Sequence, residues 1–474
     1  MNGKYDTVIG LEIHAELSTQ TKVFCTCSAK FGGSVNTHIC PVCTAQPGAL
    51  PVLNRSAVEY AVRAGLAFGC EINRYSRFDR KNYFYPDLPK AYQISQLDLP
   101  LCINGAITLS TGTVVRINRI HLEEDAGKLL HNDYDGQSWA DYNRCSVPLI
   151  EIVTEPDMKS AEEAAEFVSK VGLYLKYLNV CDAKMQEGSI RADVNISIKE
   201  AGSDVLGDRA EIKNLNSYRA IQRAIEFEVS RQSEILEGGG RVVQETRRFD
   251  DMTGTTSSMR SKENANDYRY FPEPDVPAIT FTEEDIEKIR ASIPLLPHER
   301  VLKYVNEYHL TDEDARVITL EKYLSDFYDE AVEIYPEYKS VANMFLTEIM
   351  RRVKESSGEE IPFSAADFAK TVEMSDKNTV NRNDAKSIIR IMFEEGGNPE
   401  EIAKKNGFIV VEDTAAIEEV IDGLFSERAD LVEDYKNGKT NVFGFFMGQA
   451  TRALKGKATP MSIKACLEKK LKEL

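Results

Sequence analysis

The sequence contains no apolar run near the ~20 residues that a membrane-spanning helix needs, so no transmembrane segment is expected. It has no Gly-x-x-x-x-Gly-Lys-Ser/Thr pattern, which excludes a P-loop as the seat of any nucleotide. It has no Gly-x-Ser-x-Gly, and nothing in the serine-rich stretch 253–261 marks Ser257 or Ser258 as a nucleophile. Internal repeats and low-complexity tracts are absent, which excludes a solenoid. Positive charge is in deficit: 58 Lys and Arg against 76 Asp and Glu give −18, which argues against general coating of nucleic acid and leaves room only for a local basic patch. Nine cysteines, an odd number, do not read as a disulfide framework, and they fit a reducing cytoplasm. The opening Met1-Asn-Gly-Lys-Tyr-Asp leads straight into a strand pattern, so no signal peptide is expected.

A chain of 474 residues exceeds one core and predicts two or three domains. Residues 1–294 read as an α+β domain with strands over 7–17, 114–123, 148–153, 190–198 and 209–213. Two helices interrupt them. One covers 164–178, capped by Ser160 with Glu163 completing a capping box; the other covers 217–236 and stops at Gly238-Gly-Gly240. Three prolines within 272–277 make 268–277 an extended strap. From 295 to 398 the apolar period becomes helical, as in 341–354 and 384–393, and Gly396-Gly-Asn-Pro399 is a break. Residues 399–474 form a helical tail with interruptions near Gly438 and at Lys455-Gly456-Lys457. From 440 onward that tail has seven basic residues (Arg452, Lys455, Lys457, Lys464, Lys469, Lys470, Lys472) against two acids, Glu468 and Glu473. On so acidic a chain this is a local polarity, equally compatible with a solvated helix face.

Four of the cysteines fall within 24–45, spaced Cys25-x-Cys27 and Cys40-x-x-Cys43. Two close thiolate pairs suit one tetrahedral Zn²⁺, with His38 as a possible replacement for one thiolate. Cys70, Cys102, Cys145, Cys181 and Cys466 are scattered and read as core thiols.

The strands alternate with period two. Ile9, Leu11, Ile13, Ala15 and Leu17 face one way; Glu12, His14 and Glu16 face the other. Arg191, Asp193, Asn195 and Ser197 alternate with Ile190, Ala192, Val194 and Ile196, and Glu211 and Lys213 with Ala210 and Ile212. A wet sheet face accounts for any one such strand. Glu151, alone within Leu149-Ile-Glu-Ile-Val153, is costly unless a cation or donor meets it. Several carboxylates with one imidazole suit Mg²⁺ or Mn²⁺. In His121-Leu-Glu-Glu-Asp-Ala-Gly-Lys128, Glu123 and Asp125 share one face and Glu124 takes the other; the pattern does not say which looks inward. Basic and aromatic residues mix in 78–95 and 245–251, with Arg260 and Arg269 downstream, a combination suited to phosphate.

These segments carry a resemblance. Gly10-Leu-Glu-Ile-His-Ala-Glu-Leu17, Phe78-Asp-Arg-Lys-Asn-Tyr-Phe-Tyr-Pro86, Lys90-Ala-Tyr-Gln-Ile-Ser-Gln96, Leu122-Glu-Glu-Asp-Ala-Gly-Lys128, Pro148-Leu-Ile-Glu-Ile-Val-Thr-Glu-Pro156, Glu211-Ile-Lys-Asn-Leu-Asn-Ser217 and Asp267-Tyr-Arg-Tyr-Phe-Pro-Glu-Pro-Asp275 together resemble the GatB family, the B subunits of the aspartyl/glutamyl-tRNA(Asn/Gln) amidotransferases. The tail around Gly448–Ala458 is similar to that family's C-terminal module. The resemblance implies an antiparallel cradle akin to glutamine synthetase over 1–294, then the helical domain 295–398 and a tRNA-binding tail 399–474. It implies ATP-dependent amidation of Glu-tRNA(Gln) or Asp-tRNA(Asn), with ammonia from a partner amidase (the A subunit) and a small C subunit that completes a heterotrimer in the cytoplasm. For that chemistry, His14, Glu124 and Glu151 are the expected Mg²⁺ ligands, and Glu12 and Glu211 are further candidates. Lys81, Arg191 and Lys213 are the expected phosphate contacts. Zn²⁺ at Cys25, Cys27, Cys40 and Cys43 is expected to be structural, because four thiolates leave no open position.

Overall fold

The computed structural model describes residues 4–132, 136–261, 265–356, 361–409, 414–436, 439, 442–454, 458 and 460–473. The expected tail interruptions, and Lys455 and Lys457 with them, lie outside these residues, as does the side chain of Arg260. The chain divides into two compact units, Met1–Pro297 and His298–Leu474.

The first unit is built on a nine-stranded sheet. Its central strand, Tyr5–Glu16, pairs antiparallel with Ile190–Glu200 on one side and Pro148–Thr154 on the other. Val114–Glu124 and then Cys102–Thr108 extend the sheet beyond Pro148–Thr154. Ala210–Leu215 extends it beyond Ile190–Glu200. The sheet is not antiparallel throughout: Ala210–Leu215 runs parallel to Glu245–Asp250, because the helix Tyr218–Glu237 crosses over between them.

Alternation decides which face is buried. Ile9, Leu11, Ile13 and Ala15 join Ile150, Ile152, Ile190, Ala192, Val194 and Ile196 in one core. Apolar residues of the helices Arg55–Ala67, Ala161–Tyr177 and Tyr218–Glu237 complete it. Each fully buried Ile or Leu contributes roughly 1.5–3 kcal/mol, so a one-residue slip of the central strand would forfeit several such terms. That locks the register and, with it, the opposite face.

Ser160 caps its helix by accepting from the Glu163 amide. The expected capping box does not close. The Glu163 carboxylate accepts instead from the Lys159 amide at 2.8 Å and from the hydroxyls of Thr111 and Thr113, tying the helix start to the turn after Cys102–Thr108. Ser217 caps Tyr218–Glu237, which ends at Gly238. The proline-rich strap is extended only in part: Phe271–Pro272 pairs with Asp79–Asn82 in a small separate sheet, while Tyr268 ends a 3-10 turn, Arg269 has φ +47° and 274–276 bend.

The second unit is helical. The periodic stretch 341–354 spans Tyr338–Met344, a π-helical turn at Phe345–Ile349 and Met350–Ser356. Gly396 ends Arg382–Glu395 with φ +71°, and Asn398 caps the next helix, Pro399–Lys405. One core gathers residues from Tyr304 to Ala403; a second gathers residues from Ile417 to Leu471. Ile402 and Ala403 belong to the first of these, so that core reaches past residue 398.

Candidate active site on the polar face of the sheet

Opposite the core, the same strands display their polar residues in rows. Register sets Arg191, His14, Glu151 and His121 side by side across four strands. His14 Nε2 and His121 Nε2 each lie 3.4 Å from Glu151 Oε2, and His121 Nε2 also lies 3.4 Å from Glu123 Oε2. Ser95 donates to Glu123 Oε2 at 2.9 Å. Burial opposes charge on His121, but Glu151 and Glu123 outweigh it and push its pKa up to about 9. Burial likewise works against an ionised Glu151, yet His121 and His14 hold it well below the usual carboxylate range.

Ligand atoms of His14, Glu123 and Glu151 lie within 4.8 Å of one another. This differs from the expectation of His14, Glu124 and Glu151. Strand alternation gives Glu123, two residues from His121, the face shared with His14. Glu124 turns away and is buried, accepting from the Ile94 amide at 2.9 Å, from Ser146 and from Lys90. The choice lies between adjacent acids at a strand end, and the parity that Glu123 shares with His121 is the sequence signal for its place in this group.

One row further along, Glu12, Asp193 and Glu211 form a second group with ligand atoms within 4.8 Å. Asn195 donates to Glu12 Oε1 at 2.9 Å, and Thr246 to Glu211 Oε2 at 2.8 Å. Lys213 bridges Asp193 and Glu211, the latter at 3.1 Å. Beside this group a cavity of about 370 Å³ opens, lined by Gly10, Glu12, Thr154, Asn195, Ser197 and the 206–209 segment among others. At the other end of the face, Arg191 donates to Asp125 at 2.7 Å. Burial, with Asp125 beside it, raises the Glu16 carboxyl to about 8. Lys81 stands on the small sheet, with its ammonium 4.9 Å from the Tyr268 ring centre and 5.8 Å from that of Tyr83. Arg191 and Lys213 thus carry acid partners, while Lys81 carries aromatic ones. His121, Glu123 and Asp193 join the site beyond the residues singled out from sequence.

The carboxylate and imidazole donors of both groups suit a hard dication. The four sulfurs of Cys25, Cys27, Cys40 and Cys43 also lie within 4.8 Å of one another. Cys40 and Cys43 Sγ are 3.9 Å apart, near the ~3.8 Å edge of a tetrahedron with 2.3 Å Zn–S bonds. His38 is not part of this group. A hydrogen bond from Cys25 holds Cys43 down at about 4 against burial, helped by the Cys40 amide and the fully buried Lys22 ammonium. The knot therefore fits a structural zinc.

The GatB/GatE catalytic domain family matches residues 7–287, and the GatB domain family matches 326–471. The chain is 51% identical to the B subunit of an aspartyl/glutamyl-tRNA(Asn/Gln) amidotransferase from Ruminiclostridium cellulolyticum, over 99% of this chain and 98% of that protein. Proteins of the same name from Caldicellulosiruptor bescii and Thermodesulfovibrio yellowstonii are 49% and 46% identical, each over 99% of this chain and 100% of the relative. With both domains matched and near-complete overlap at this identity, the chain belongs to the family of aspartyl/glutamyl-tRNA(Asn/Gln) amidotransferase B subunits.

Proposed function

We propose that this chain carries the ATP-dependent half of a tRNA-dependent amidation. The side-chain carboxylate of glutamate or aspartate esterified to tRNA attacks the γ-phosphorus of ATP, and ADP leaves. Ammonia then attacks the acyl carbon of the mixed anhydride, inorganic phosphate leaves with the C–O bond electrons, and the nitrogen sheds a proton. Phosphorylation is needed because oxide is too poor a leaving group for direct amidation. The observation that carries the reading is the convergence on one locked sheet face of His14, Glu123 and Glu151 with Glu12, Asp193 and Glu211, beside a cavity of about 370 Å³.

Mg²⁺, when bound, supplies neutralisation of phosphate charge. His14, Glu123 and Glu151 would hold one ion, and Glu12, Asp193 and Glu211 are donors for another. The cavity between Gly10 and the 206–209 segment would seat the nucleoside, with the phosphates directed along the acid rows. Ser95 and the strand register fix these acids, so the groups need little reorganisation when substrate binds.

The ammonia comes from glutamine in a partner amidase, and a small third protein completes the assembly. The C-terminal tail holds the tRNA body: Arg452, Lys469 and Lys472 are exposed and meet no acid among the described residues, whereas Lys464 and Lys470 pair with Glu468 and Asp422. No described helix is long and apolar enough to cross a membrane. The purified assembly, given ATP, glutamine and either Glu-tRNA(Gln) or Asp-tRNA(Asn), is expected to form the amide and release ADP in equal amounts. Glu151→Gln should abolish both products while tRNA still binds; amide formation without ATP consumption would overturn the reading.

A further inference from the structure

Among the described residues, the basic groups along the acid rows are paired with acids, with one exception. Lys213 meets Asp193 and Glu211, Arg191 meets Asp125, and His121 lies between Glu123 and Glu151. The exception is Arg119, which meets no carboxylate among the described residues. Its one polar contact is NH1 donating to Asn118 Oδ1 at 3.4 Å, and its Nε is buried with no acceptor.

Local backbone geometry puts Arg119 there. Val153 faces Arg119 while the next residue, Thr154, faces Ile117, so Asn118 is an extra residue in Val114–Glu124. Ile117 and Ile120 both reach the core, and the two residues between them are turned off it. Without the bulge, strict alternation could not keep both isoleucines buried. Such bulges re-aim side chains, often beside active sites. Arg119 thereby enters the row Asp193, Glu12, Val153, next to the row holding His14, Glu151 and His121.

A half-buried guanidinium with no acid partner, beside acids that are already paired, is arranged to receive an anion from outside the protein. We propose that Arg119 is the anion anchor of this face and takes the oxygens of the transferring phosphoryl group of a nucleoside triphosphate. The inference rests on the phosphoryl-transfer reading of the same site. A planar fork matches two phosphoryl oxygens at once, whereas the attacking carboxylate must keep a lone pair free.

The test uses the full chain in its assembly, as wild type, Arg119→Gln and Arg119→Lys. Each is titrated with a non-hydrolysable ATP analogue, with ADP and with deacylated tRNA, and each is melted. Arg119→Gln is expected to weaken the ATP analogue tenfold or more and to leave ADP, tRNA and the melting temperature nearly unchanged. Arg119→Lys should recover part of the loss as a point charge. Equal loss for the analogue and ADP, or no loss for either, overturns the assignment. So does a raised KM for aminoacyl-tRNA with nucleotide binding intact, which would give Arg119 to the substrate carboxylate. If Arg119→Gln lowers the melting temperature, the decision passes to Arg119→Lys, which keeps the side-chain stem. A wild-type assembly that binds no ATP analogue sinks the underlying reading; wild-type binding with an unaffected variant sinks only Arg119.

Discussion

Glu123 and Glu124 are adjacent and chemically identical, yet the fold gives them opposite tasks. Glu123 faces His14 and Glu151 across the sheet, while Glu124 is closed in by Lys90, Ser146 and the Ile94 amide. Their amide variants should therefore fail differently. Glu123→Gln removes a charged donor from the proposed Mg²⁺ group, so kcat should fall at least a hundredfold, with a smaller melting shift than Glu124→Gln because Glu151 still faces His121. Glu124→Gln strands a mostly buried ammonium, and breaking such a pair costs roughly 3–5 kcal/mol. Its signature is a melting temperature lowered by several degrees. Paired kinetics and calorimetry on the two variants decide the matter; a reversed pattern would return the site to Glu124. Gly207 sits at another sensitive point. A Cβ there would lie 2.2 Å from the Ile198 carbonyl oxygen, a backbone atom that cannot step aside. Gly207→Ala should push the 206–209 wall into or away from the cavity and weaken an ATP analogue about tenfold, read by equilibrium titration. The overall melt should move little, because neighbouring Val205 and Leu206 are exposed.

Elements show why some of this was legible in the sequence and some was not. Period-two alternation in the strands around Ile9–Leu17 and Ile190–Ile198 encodes which side chains share a face, because burying Ile9, Leu11 and Ile13 forces Glu12 and His14 outward. The four-cysteine spacing encodes its own cluster in the same local way. Alternation does not encode pairing partners: Glu151 beside both His14 and His121 depends on register between distant strands. Nor does it encode the bulge at Asn118, which breaks the period and hides Arg119 from any reading of parity. The capping box failed for a related reason, since Glu163 had better partners in Thr111 and Thr113 than in its own helix. Long-range partners also govern Glu228, on Tyr218–Glu237. This carboxylate is fully buried against Arg231 and Arg247 and accepts from Thr256. Burial opposes its ionisation, but these partners hold its pKa below the usual value. A depressed carboxylate pKa contributes stability above the unfolded-state value, near 4.5, that is lost as pH falls through the folded value. Glu228→Gln should thus lower stability at pH 7 and flatten the decline below about pH 4.5. Denaturant melts from pH 3 to 7 check it; an unchanged acid limb would show that Glu228 does not set it.

At the scale of the whole molecule, charge and core boundaries together dictate where the chain can be cut. A chain of net charge −18 repels a polyanion unless cations are concentrated somewhere, and the described tail residues Arg452, Lys469 and Lys472 are exposed. The helix Pro399–Lys405 precedes that charge but belongs to a different core: Ile402 and Ala403 are buried with Ala369 and Ile389, and Phe408 and Ile409 pack against them. Truncation at any point before residue 409 would strip apolar groups from a core unrelated to the tail. Two truncated chains separate the effects. Residues 1–409 should keep the melting transition of the helical unit and ATP binding, yet lose most tRNA affinity and the steep salt dependence that accompanies phosphate neutralisation. Residues 1–398 should lose the same affinity and, in addition, destabilise the helical unit by an amount on the order of the 2–5 kcal/mol seen for deleting one large buried apolar side chain, or more. Calorimetry beside filter binding at two salt concentrations reads both. If 1–409 binds tRNA as tightly as the full chain, the tail is not the tRNA-binding element, and the polyanion must be held by some other surface of this acidic chain or by one of its partners.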